Sequence, residues 1–129
     1  MSVNKIKNMD QTNNEIEING VKYVQKDSVK SESLTNKFLV RCESAGVFFG
    51  EITAKDLTAG TARLSNARRI WYWSGASSLS QLSIDGTSKP GECKFPEAVQ
   101  SIEVCKVIEV IPCTEKAAKS LSEVKIWKQ

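Results

Sequence analysis

Hydrophobic and polar positions alternate along most of this chain, and the rhythm changes at a few marked points. Residues 1–14 are polar, rich in Asn and Lys, and without period, so they read as a flexible tail. In "EIEINGVKYV" the Asn19-Gly20 pair separates two alternating segments, which predicts a β-hairpin closed by a type I′ turn. Ile18 then faces Val21, Glu17 faces Lys22 and Ile16 faces Tyr23. One face of the ribbon is apolar, and a lone hairpin is marginal in water. The hairpin therefore needs a surface, on its own domain or on another subunit, to cover it. The polar run "QKDSVKSESLTNK" reads as a linker, so residues 15–37 form a hairpin-and-linker appendage.

The main domain is expected over 38–129. "KFLVRCE" and "VFFGEITAKD" are strands separated by the turn "SAG", and "LTAG" turns the chain again. "TARLSNARRIWYW" supplies a long third strand, bulged near Asn66. "GASSLSQLSI" has helical spacing at Leu79 and Leu82, with Ser74 or Gly75 near its cap. "QSIEVCKVIEVIPC" is the most β-branched run and reads as one central strand. A short helix capped by Thr114 and a final strand at "KIWK" follow. The fold class is α+β: a small β-rich domain with two short helices and an N-terminal β-hairpin appendage.

Charge and cysteine usage narrow the chemistry. The net charge is +3, too low to argue for duplex DNA. All four arginines, Arg41, Arg63, Arg68 and Arg69, lie in the central stretch. No apolar run approaches the roughly 20 residues that span a bilayer, so no membrane partner is expected. The four cysteines include no C-x-x-C pair and there is no histidine, so no metal site and no His-based catalysis is expected. The thiols read as reduced and mostly buried in a cytosolic protein. No phosphate-loop or dinucleotide motif occurs, no cofactor is implied, and no residue stands out as a nucleophile.

One stretch does suggest a site. In "NARRIWYWSGASSLSQLSIDG" two arginines precede three aromatics and a Ser/Gly turn. An extended backbone would put Arg69, Trp71 and Trp73 on one face and Arg68, Ile70 and Tyr72 on the other. Aromatic faces can hold a base and guanidinium groups a phosphate. A helix beginning in "SGASS" would add free N–H groups. The candidate ligand-binding residues are Arg68, Arg69, Trp71, Tyr72, Ser74, Gly75, Ser77 and Ser78. The same residues could equally build a core, since Trp and Tyr fill small β-rich domains and Ser-Gly simply turns the chain.

From about Lys37 to Lys128 the chain resembles a family of small domain proteins encoded by tailed bacteriophages and prophages. The resemblance rests on "SAGVFFGEI", the aromatic stretch, "KFP", "VIEVIPCTEKAAKSL" and "VKIW". By analogy of class it implies a non-catalytic anti-defence protein in the host cytoplasm, similar to a nucleotide sponge. Such a protein would be a homo-oligomer that sequesters a cyclic nucleotide or ADP-ribose derivative used as an immune signal. The alternatives are a module binding single-stranded nucleic acid, or an inhibitor of a host protein.

Overall fold

The structure, a computed structural model, describes residues 15–18, 21–24 and 33–129. The chain divides into two compact units, Met1–Ser31 and Glu32–Gln129. In the first, β1 (Glu15–Ile18) pairs antiparallel with β2 (Val21–Val24), with Ile16 opposite Tyr23 and Ile18 opposite Val21. The expected tail, the Asn19-Gly20 turn and most of the expected linker lie outside the described residues.

The second unit is β-rich, with one five-stranded antiparallel sheet and two helices. Its strands are β3 (Leu34–Cys42), β4 (Gly46–Asp56), β5 (Thr61–Ile70), β6 (Val99–Cys105) and β7 (Val107–Thr114), in the order β6-β5-β4-β3-β7. β3 starts at Leu34, inside the stretch expected to be linker. The Thr35 hydroxyl donates to the Cys113 carbonyl at 2.9 Å and ties this polar beginning to β7.

The run "QSIEVCKVIEVIPC" is not one central strand. It breaks at Lys106, whose φ of 57° turns the chain, and its halves occupy the two opposite borders of the sheet. This is possible only if the sheet curls until its borders meet. Lys106 sits at that meeting point: its carbonyl accepts from the Glu43 N–H at 2.9 Å, while Val107 N–H donates to the Gly60 carbonyl at 2.9 Å. The long β4–β5 ribbon bends to allow it. Asn66 is bulged at φ 48°, opposite Gly50. A Cβ on Gly50 would lie 2.8 Å from the Ala67 Cα, so only glycine permits this close approach.

Curling gives the sheet two buried faces, so the central strands are apolar on both sides. Val40, Phe48, Leu64 and Val104 fill the inside of the curl. Leu39, Phe49, Ile70 and Cys113 pack on the other face against α1 (Leu79–Asp85) and α2 (Glu115–Ser122). Thr114 caps α2 as the sequence leads one to expect, accepting from Ala117 N–H at 3.1 Å, and its hydroxyl donates to the Ile84 carbonyl of α1. The closing "KIWK" segment forms only a single parallel bridge, Ile126 with Phe95, rather than a strand.

Candidate functional site

β5 ends at Ile70, three residues short of the expected end, and this separates the candidate residues. Within the strand the alternation holds. Arg68 and Ile70 face the helices, and Arg69 faces the inside of the curl beside Phe48. Beyond Ile70 the chain pairs instead with the loop at Lys94. Trp71 and Tyr72 N–H groups donate to the Lys94 carbonyl at 3.1 and 3.3 Å, and Lys94 N–H returns a bond to the Tyr72 carbonyl at 2.8 Å.

Arg68 is therefore not a surface anion receptor. It is buried, and its fork donates to the carbonyls of Pro96 (3.2 Å), Leu121 (3.1 Å), Phe95 (3.0 Å) and Lys125 (3.4 Å). Burial pushes its guanidinium pKa below the ordinary arginine value. Carbonyls at the end of α2 carry the negative end of the helix dipole, which suits a cation without a carboxylate partner.

The serine-rich turn is also committed to the fold. α1 starts at Leu79 with Ser78 as its cap, not at Ser74 or Gly75. Ser78 Oγ accepts from Gln81 N–H at 3.2 Å, and Gln81 Oε1 accepts from both the N–H and the hydroxyl of Ser77 at 2.8 Å. This is a reciprocal cap that uses the very groups an anion would need. The Ser74 hydroxyl donates to Glu92 at 3.1 Å, and the Gly75 carbonyl accepts from Ser88 N–H at 3.2 Å. Trp73 packs against the helix-side core, and its indole N–H donates to the Ala76 carbonyl at 3.2 Å.

Trp71 and Tyr72 remain, 59% and 50% exposed. Two residues absent from the expected site join them. Trp127 stacks on Trp71, with centroids 5.4 Å apart and planes 19° from parallel. The Lys94 ammonium lies 5.3 Å from the Trp71 ring, 5.7 Å from Trp127 and 5.9 Å from Tyr72. Three aromatics and one cation thus form an open platform. Arg68 ties its segments together, because it donates to the carbonyls of Phe95 and Pro96, just after Lys94, and of Lys125, two residues before Trp127. Trp127 N–H completes the frame by donating to the Phe95 carbonyl at 3.0 Å. The signal was in the chain: "KFP" and "VKIW" each hold one of the missed residues, but no periodicity links segments that meet only in three dimensions.

Among the described residues no group of three or more His, Cys, Asp or Glu is placed to hold a metal ion. Cys42, Cys93 and Cys113 are buried thiols and Cys105 is exposed. Among the described residues no helix is long and apolar enough to cross a membrane.

A family model described as Domain of unknown function (DUF6948) matches residues 35–121. No curated protein and no solved structure matches the chain.

Proposed function

This chain belongs to the DUF6948 family, and from that footing we propose that it is a non-catalytic module binding a phosphate-bearing nucleotide, with the base stacked on Trp71 and the phosphate on Lys94. One observation carries the reading: an exposed Trp71 ring, braced from beside by Trp127, with an ammonium group over both. A braced ring loses little freedom on binding, so stacking contributes its full value. Base–aromatic stacking contributes about 1–3 kcal/mol per base. Lys94 adds a charge-assisted bond to phosphate. These groups stack and neutralise charge. They do not break a bond, so the ligand is held intact.

The biological role we propose is the one the phage-family resemblance implies: sequestration of a cyclic nucleotide or ADP-ribose immune signal in the host cytoplasm. One open platform covers only one face of a base. Tight sequestration therefore calls for a second copy of the chain over the other face, and the apolar face expected on the N-terminal hairpin supplies a reason to associate. This makes a homo-oligomer part of the proposal.

The openness of the platform favours one second reading. A single strand can pass over two exposed aromatics and stack successive bases there. Calorimetric titration of the full chain with ADP-ribose, cyclic dinucleotides and a length series of oligothymidylates separates the two. Micromolar or tighter binding of a mononucleotide signal, recovered intact by chromatography, supports sequestration. Affinity that grows with strand length and falls steeply with salt transfers the site to the second reading. Binding of neither class overturns both and leaves the platform to a host protein.

A further inference from the structure

Arg69 does not share a surface with Trp71. It is the register partner of Phe48, and the two side chains meet on the inside of the curled sheet, with the guanidinium carbon 4.5 Å from the ring centroid. The guanidinium donates to the Ala45 carbonyl. Among the described residues that is its only hydrogen bond, and it has no carboxylate partner, so most of its fork of donors is unused. Arg69 is exposed, unlike Arg68, although the two are adjacent in sequence.

A groove of about 430 Å³ opens beside it. Phe48, Ile102 and Val104 give it an apolar floor, and Arg69 and Lys106 stand at its rim. Its one carboxylate, Glu103, is already engaged by Arg63 Nε at 2.9 Å. β6 forms one wall, and β6 is a border strand whose outer edge has no partner strand among the described residues. Arg69 also acts on the buried Cys42 thiol, which is not itself among the groove's lining residues. Burial pushes the Cys42 thiol up, the neighbouring Cys105 adds to this, and Arg69 pulls it back down.

We propose that this groove is a second binding site, separate from the aromatic platform, for a small amphipathic carboxylate. The carboxylate lies in the Arg69 fork, and the hydrocarbon body lies along Phe48, Ile102 and Val104. Charge complementarity selects the class. The groove has an excess of cations over an apolar floor, and an unused planar fork matches a single planar anion. Its volume is at the lower end for ligand sites, which suits a short acid rather than a dinucleotide. The site shares no residue with the platform, so neither proposal depends on the other.

The test is amide-shift titration of the full chain by NMR with octanoate and, separately, octanol. Octanoate produces saturable shifts at Ala45, Phe48, Arg69 and Cys105, and octanol binds about tenfold or more weakly because it lacks the charge. Arg69→Gln weakens octanoate by about ten- to a hundredfold. Trp71→Ala leaves octanoate affinity unchanged. Equal binding of acid and alcohol, shifts only outside the groove, or an Arg69→Gln protein that binds octanoate as before overturns the proposal. Should Arg69→Gln fail to fold, Arg69→Lys decides: it keeps the charge and loses the fork, and undiminished affinity is the overturning result.

Discussion

Arg68 donates to the carbonyl of Leu121 at 3.1 Å, so a buried cation two residues before the end of β5 closes the far end of a helix. Among the described residues it has no carboxylate partner there. The compensation comes from carbonyl dipoles, among them that of Leu121 in the last turn of α2. Charge, fold and platform meet in this one side chain.

Removing it should damage the fold before it damages binding. Arg68→Ala takes a donor from four carbonyls: that of Phe95 keeps the Trp127 N–H, while those of Pro96, Leu121 and Lys125 lose theirs, Leu121 in a buried contact. We expect a loss of about 3 kcal/mol or more, since each orphaned buried group costs about 1–3 kcal/mol. Arg68→Lys restores only part of this, because an ammonium cannot reach the same spread of acceptors. Urea denaturation measures both. A stability change under about 1 kcal/mol for the alanine variant contradicts the assignment.

The platform predicts the opposite pattern. Trp71 is mostly exposed, so Trp71→Ala costs stability only about 1 kcal/mol, mainly the stacked contact with Trp127. Trp73→Ala costs about 3 kcal/mol or more, because that ring packs on the core. Lys94→Met leaves the fold intact and weakens any phosphate-bearing ligand. Thermal melts, with nucleotide titrations alongside, distinguish the three.

Cys113 predicts a loss of stability in alkali. The thiol is fully buried, and burial pushes its pKa up to about 12 from an ordinary 9.0. Between those values the unfolded chain has released the proton and the native chain has kept it. Stability is therefore complete below pH 9 and falls as pH rises toward 12, by about 1.4 kcal/mol per pH unit. Cys42 is shifted the same way. Cys113→Ala should flatten the slope between pH 9 and 10.5, as read from denaturant midpoints. An unchanged slope in that variant rules the mechanism out.

Gly75 predicts a local effect. Its φ is 87°, and a Cβ there would lie 2.5 Å from both the Lys89 nitrogen and the Thr87 hydroxyl. Gly75→Ala combines a left-handed backbone with a collision, so a loss of about 2 kcal/mol is expected. Because Lys94 is held by Tyr72 rather than by this turn, Trp71 and Trp127 should keep their stacking. Near-ultraviolet circular dichroism of the folded variant reports on that contact.

Local signals in the sequence carried the fold a long way. "SAG" and "LTAG" placed the turns between β3, β4 and β5, Thr114 marked its helix, and the bulge at Asn66 lies where the third strand was expected to bend. Nothing local marks Lys106 as a break, because a lysine at positive φ has none of the glycine or proline punctuation that signals one. Alternation put Arg68 and Arg69 on opposite faces of the strand. It could not say which face enters the helix-side core, since this curled sheet buries both. The site was half legible for a related reason: Trp71 and Tyr72 are neighbours in sequence, whereas Lys94 and Trp127 reach them only through the backbone bonds of a folded loop.

The single-residue joint at Lys106 also governs when the domain can form. During synthesis β3, β4 and β5 leave the ribosome first and can pair as a meander with both outer strands bare. Neither border can be covered until residues 99–114 emerge, and then both are covered by one continuous piece of chain. Completion therefore waits on this late stretch of chain. A nascent chain stalled before Val99 presents two sticky edges at once, and the chain from Val99 onward is what makes the domain safe to release.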